Sequence, residues 1–314
     1  MGLPVTVYRN TDAGAPAIPT KPSGWITVLK KCLVEGYGEK QPLGWTLDFE
    51  DAANNKVVFK NNVADGGSGG AVQFQPHSGS DAINAALRIT CANSITAIDA
   101  FFKKVGYRVM MTSNSLGTVS GWMVVGTSKG FWLIQESGEP LNNSYNTALF
   151  GYREYFFIGD IESFIPNDMG IFTLVTCGDP TLDSDNTGYE INIGSSQSTP
   201  KCALYETNGG STVFGYLTDW QPDYGYAYQG NAIDPQQIGV PINLVKVSII
   251  HSSFGLVTNP ACRGTIPGLF KTQFSGYKDA ALPVIRTFEG IDYLLVTGMQ
   301  KANTFISLGG EWYV

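Results

Sequence analysis

Charge, histidine and clustered cysteine are all scarce in this chain. Charged residues make up 15% of it, against roughly 25% in an average soluble domain. Only 2 histidines occur, His77 and His251. Acid–base catalysis needs titratable groups gathered in one place, so this composition speaks against a conventional enzyme and for no cofactor. The formal net charge of -7 lacks the Lys/Arg surplus that phosphate binding requires, which excludes a nucleic-acid partner. The pairs Lys30-Lys31 and Lys103-Lys104 then read as solvated positions. Five cysteines at wide spacing (Cys32, Cys91, Cys177, Cys202, Cys262) include no CxxC pair. Their odd number argues against a disulfide framework and their spacing against a zinc knuckle, leaving buried free thiols of a reducing cytoplasm. No basic segment leads into an apolar one at the N-terminus, and no apolar run approaches the length that spans a bilayer. A signal peptide and a membrane partner are therefore not expected.

What is present is glycine and aromatic surface: 37 Gly, 15 Tyr, 17 Phe and 6 Trp in 314 residues. Such a surface, thin in ions, suits a protein packed against other proteins. One helix is expected after Ser23 as N-cap, with Trp25, Val28, Leu29, Cys32 and Leu33 forming one apolar stripe and Gly36 ending it. A second helix is expected over Ile95–Lys104. Most of the remainder reads as short strands between Gly, Asn, Asp and Ser clusters, with hairpins at Gly126–Gly130 and Asn208–Gly210. The fold class is mainly β (α+β), built of antiparallel, sandwich-like sheets with one N-terminal helix and long polar loops. A composition shift near residue 105 divides an N-terminal α+β region, 1–105, from a β-rich region with long loops, 106–314. The loops at 178–200 and 219–241 are long enough to be functional or partner-bound.

Several constellations carry a sharp and a bland reading. Asp183, Asp185 and Glu190 around Gly188 partly match a calcium loop, but the spacing departs from an EF-hand, so an acidic surface loop is expected and no metal. Asp160, Glu162 and Asp168 lie close enough in sequence to serve as a glycosidase pair, such as a surface-glycan depolymerase would use. The plainer reading is a strand entering a turn, with Asp160 bonding nearby backbone. Neither histidine sits in a nucleophile motif, and G-x-S-x-G is absent. Gly66-Gly67-Ser68-Gly69-Gly70 has no following Lys-Ser or Lys-Thr, so it reads as a flexible hairpin loop and not a phosphate cradle. Trp220, Tyr224, Tyr226 and Tyr228 form an aromatic patch in a polar loop, suited to an interface or to stacking on sugar rings.

Three stretches resemble a family of tailed-bacteriophage virion structural proteins. The first runs from Val5-Thr6-Val7-Tyr8-Arg9 and Thr11-Asp12-Ala13-Gly14-Ala15-Pro16 to Cys32-Leu33-Val34-Glu35-Gly36-Tyr37-Gly38 and Gly44-Trp45-Thr46. The second is Phe156–Asp168. The third is Arg263-Gly264-Thr265-Ile266-Pro267-Gly268-Leu269-Phe270, with the closing strands around Thr304–Leu308 and Trp312. They are collinear and span most of the chain; the first is the most specific, and the enlarged loops at 178–200 and 219–241 depart from the pattern. The resemblance implies a non-enzymatic particle component of the neck, collar or tail, made in the host bacterial cytoplasm and contacting copies of itself and other virion proteins. A receptor- or glycan-binding module and a capsid decoration protein are the alternatives it leaves open. It supplies no catalytic residues.

Overall fold

The computed structural model describes residues 2–112, 119–137, 152–175, 201–217, 242–251, 262–272, 283–298 and 301–313. Strands β1 (Leu3–Pro4) and β2 (Thr6–Arg9) precede helix α1 (Pro22–Lys30), which widens into a π-type turn over Lys31–Glu35. Then come β3 (Thr46–Asp51), β4 (Lys56–Lys60), β5 (Ala71–Pro76), β6 (Ala86–Ala97) and β7 (Ala100–Met111). The middle of the chain gives β8 (Val119–Gly126), β9 (Gly130–Ser137), β10 (Tyr152–Asp160), β11 (Glu162–Ser163) and β12 (Phe172–Val175). The last third gives β13 (Lys201–Tyr205), β14 (Thr212–Leu217), β15 (Val245–His251), β16 (Cys262–Lys271), β17 (Ile285–Phe288), β18 (Ile291–Gly298), β19 (Lys301–Ser307) and β20 (Glu311–Trp312).

These strands form three larger sheets, ordered β3-β4-β5-β6-β7, β12-β10-β9-β8-β2 and β13-β14-β15-β16-β19-β18-β17, with β11 added beside β16. The fold is mainly β, and its ladders are antiparallel. A separate short ladder pairs β1 with β20, Leu3 opposite Trp312. Side chains alternate across the first sheet as a pleated strand requires: Val57 and Phe59 enter the main core, while Val58 faces a small outer cluster with Ala71, Ala92 and Ile95. The main core draws on all three sheets and on the helix. The composition shift near residue 105 falls inside strand β7. Among the described residues no helix is long and apolar enough to cross a membrane.

The expected helical stripe is buried throughout: Trp25, Val28, Leu29, Cys32 and Leu33 have no exposed surface. The N-cap is Lys21, however, with Pro22 in the first turn. A proline there loses no hydrogen bond, since the first amides of a helix lack intrahelical partners. Ser23 sits one residue further in, where its N–H and Oγ both donate to Asp81, each at 2.7 Å. Gly36 ends the turn at φ 78°, and the next segment folds back, Leu43 N–H donating to the Cys32 carbonyl.

Ile95–Lys104 is no helix. It is the tip of the β6–β7 hairpin, with Ile95 opposite Phe101 and Ser94 opposite Phe102. The β-branched and aromatic residues Ile95, Thr96, Ile98, Phe101 and Phe102 favour the pleated state. Asp99 makes the turn at φ 62°, held by its N–H to Gln73 Oε1 and by Lys56.

Neighbouring sheets approach closely where glycine leaves room. A Cβ on Gly106 in β7 would lie 2.4 Å from the Leu174 Cβ in β12. Gly106→Ala is expected to cost about 1–3 kcal/mol through overpacking, read as a lowered urea midpoint at unchanged m-value; an unchanged midpoint would mean the two sheets are not locked there.

Candidate functional site

Asp160 ends β10 and is fully buried. Its carboxylate accepts from the Ser68 N–H at 2.8 Å and the Ser68 Oγ–H at 2.5 Å. Ser68 stands in the five-residue Gly-rich segment between β4 and β5, and is itself exposed. That segment is tied down and not slack. Asn61, almost fully buried, accepts from Gly69 N–H at 2.7 Å, and Gly67 N–H donates to the Asn62 carbonyl at 2.9 Å. Gly70 N–H donates to Ser68 Oγ at 3.1 Å. Gly70 also permits a close approach, since a Cβ there would lie 2.0 Å from the Phe172 ring.

Two further segments close around Asp160. The β8–β9 turn brings Lys129, whose carbonyl accepts the Asp160 N–H at 3.1 Å. The residue after β20, Tyr313, donates its hydroxyl to the Asp160 main-chain carbonyl at 2.7 Å, and Lys129 Nζ lies 4.3 Å from the centre of the Tyr313 ring. Burial pushes the Asp160 carboxyl up from 3.8 to about 6, against the opposing pull of Ser68, Lys129 and Asn61. Burial, and then the negative charges of Asp160 and Glu162, raise the Tyr313 hydroxyl well above its ordinary value. The Ser68 hydroxyl is thus held by a carboxyl whose affinity for a proton burial has raised.

A second buried polar centre lies along the same segment. Arg263 in β16 grips Asp168 with two bonds, Nε to Oδ2 at 2.8 Å and a terminal nitrogen to Oδ1 at 2.6 Å. Both side chains are sealed, at 0% and 1% exposure. Ser163 Oγ also donates to Asp168 at 2.7 Å. Burial pushes this carboxyl up, but Arg263 and Ser163 outweigh it and hold it below the usual range. Glu162 is engaged separately, with Lys246 Nζ at 2.8 Å and Thr265 Oγ1 at 2.8 Å.

The three carboxylates of the Phe156–Asp168 stretch therefore serve three different sets of partners. Asp160 binds Ser68, over ninety residues away in sequence, where the sequence suggested neighbouring backbone. His77 Nδ1 lies 3.4 Å from Tyr107 Oη, and His251 ends β15. Lys30 bonds Glu50, Lys31 pairs with Glu35, Lys103 donates to the Gly209 carbonyl and Lys104 lies over the Phe101 ring. Cys32, Cys91 and Cys202 are free and buried, while Cys262 is free and exposed. Trp220, Tyr224, Tyr226, Tyr228, Asp183, Asp185, Glu190 and Cys177 lie outside the described residues. Sequence reasoning missed Ser68, Asn61, Lys129, Arg263 and Tyr313. The one local signal was a lone serine among four glycines; the other partners come together only through the fold.

No protein-family model matches this chain, and no curated protein matches it either.

Asp168→Asn leaves the Arg263 charge buried without its partner, and is expected to cost about 3–5 kcal/mol by equilibrium denaturation. For Asp160 the sign is opposite. A carboxyl whose folded pKa stands at about 6 against an ordinary 3.8 gives stability that is present below 3.8 and lost as pH rises through 6. Asp160→Asn keeps a hydrogen-bonding amide toward Ser68. Subtracting its melting temperatures from those of wild type should give a difference that falls across this window; a flat difference would contradict the assignment.

Proposed function

We propose that this chain is a non-enzymatic structural component of a tailed-phage virion, at the neck, collar or tail, assembling through contacts with its own copies and other virion proteins. One observation carries the reading. Two of the stretches that resemble the virion family are bonded to each other in space: β11 pairs with β16, Glu162 opposite Thr265 and Ser163 opposite Gly264, and the buried Asp168–Arg263 pair crosses the same seam. The first stretch joins this body through Trp45, whose Nε1 donates to the Thr127 carbonyl in the β8–β9 turn. The stretches that carry the resemblance thus build a scaffold, which suits a component of a particle under mechanical stress.

The charges support the same reading. Glu162 and Asp168 pair with Lys246 and Arg263 from other segments, in keeping with the plainer, structural reading of the Phe156–Asp168 stretch over a glycosidase pair. The fold offers the rigid body, and symmetric repetition of such bodies closes rings. Exposed apolar side chains, Phe102, Phe164 and Met169 among them, add surface of the kind that interfaces cover.

Cryo-EM of intact particles, with this chain traced in the density, tests the proposal. The expected result is a ring of copies at the head–tail junction or along the tail. Density at a distal fibre tip would favour receptor binding instead, and purified virions free of the protein would refute the proposal.

A further inference from the structure

The turn between β13 and β14 carries the one asparagine of this chain that precedes a glycine, Asn208. An asparagine holds a side-chain acyl carbon within one ring closure of the next main-chain nitrogen, and any residue but glycine crowds that approach. Asn208 is exposed. Its Oδ1 accepts the Gly210 N–H at 2.7 Å, which lays the side-chain carbonyl alongside the intervening Gly209 and polarises it. Gly209 stands at φ 73°, and its N–H donates to the Glu206 carbonyl at 2.7 Å. That bond guards the nitrogen while the turn is closed. Exposed turns open far more readily than core strands, so the guard sets a rate and does not forbid attack.

We propose that Asn208 is a self-modifying site of the folded protein, where the Gly209 nitrogen closes on the Asn208 side-chain carbonyl carbon and the asparagine becomes aspartate and isoaspartate. When the Glu206–Gly209 bond opens, solvent base takes the Gly209 N–H proton and the N–Cγ bond forms. The Gly210 N–H, already on Oδ1, meets the negative charge that develops there. The Cγ–Nδ2 bond breaks, and the nitrogen leaves as ammonia with a proton from water, giving a five-membered imide. A second water opens the imide. Attack at Cγ yields aspartate; attack at the Asn208 main-chain carbonyl yields isoaspartate.

The turn is an anchor, so this change has a structural consequence. Lys103 of β7 donates to the Gly209 carbonyl, the Met169 N–H donates to the Thr207 carbonyl at 3.0 Å, and the Glu206 N–H to the Ser211 carbonyl at 3.0 Å. Isoaspartate inserts an extra carbon into the main chain among these bonds. Either product sets a carboxylate beside Glu206, whose Oε2 flanks Gly210 together with Asn208 Oδ1, and like charges there repel. Conversion therefore loosens the contact between the β7 tip and the β13–β14 turn. It proceeds with or without a virion context.

The test is peptide mapping of purified full-length protein aged for weeks at neutral and at mildly alkaline pH, beside the same chain aged unfolded in guanidinium chloride. The expected result is conversion of Asn208 in the folded protein, faster at the higher pH and about ten- to a hundredfold slower than in the unfolded chain. Isoaspartate should be among the products, and each conversion in labelled water should take up one oxygen-18 atom. Converted wild type should melt below fresh protein, whereas Asn208→Ser, with no amide to lose, should melt alike fresh and aged. A folded chain whose Asn208 stays intact while the unfolded chain converts overturns the proposal. Converted protein that melts with fresh protein overturns the loosening.

Discussion

Every open sheet has two edges whose amides and carbonyls lack partners, and three sheets in one chain multiply that liability. Here three of the edges are turned toward one another. β7, β12 and β13 each border a different sheet and come together at one seam, with Gly106 leaving space for Leu174. Thr173 Oγ1 donates to the Ala203 carbonyl at 2.8 Å, tying β12 to β13. Met169 N–H reaches the Thr207 carbonyl at 3.0 Å and Ile161 N–H the Ile171 carbonyl at 2.9 Å. The shared core and the two buried polar centres follow from this meeting of edges, since it holds β10, β12 and β16 near enough to exchange buried bonds.

The few charges in the chain acquire their meaning from this geometry. A carboxylate in the interior is tolerated only when bonded, and each interior acid of the Phe156–Asp168 stretch is bonded to a segment distant in sequence. Asp160 reaches the Gly-rich segment and Asp168 reaches β16. Their environments then diverge. An arginine fork holds the Asp168 carboxyl low, whereas at Asp160 burial outweighs the Ser68 amide and hydroxyl, Lys129 and Asn61 and raises its affinity for a proton. One short stretch thus holds a permanent ion pair and a titrating group a few residues apart.

Local pattern revealed much of the strand content and little of what joins it. The apolar stripe from Trp25 to Leu33, the strand at Lys56–Lys60 and the turns at Gly126–Gly130 and Asn208–Gly210 were legible, because burial on one face and turn chemistry leave a short-range trace. β16 was not among the expected strands, since Gly264, Pro267 and Gly268 are residues that strand interiors disfavour. The strand tolerates them through an irregular register against β15: Pro267 offers its carbonyl to Trp132 Nε1, and Gly268 at φ 73° makes room for the Trp312 ring. The supposed helix at Ile95–Lys104 failed for the converse reason, its apolar residues fitting two faces of a hairpin as well as one face of a helix. Beyond the lone Ser68 among glycines, this cluster left no pattern, because Asn61, Lys129, Asp160 and Tyr313 meet only across separate segments.

The ladder of Leu3–Pro4 with Glu311–Trp312 sets how this body would respond to force. Gly2 N–H also bonds Glu311 at 2.9 Å, so the first and last described segments leave the protein side by side. Tension applied between them would be borne by this small clasp and by Tyr313, and would bypass the sheets until the clasp parted. Compression or shear delivered through the flanks would instead meet all three sheets at once.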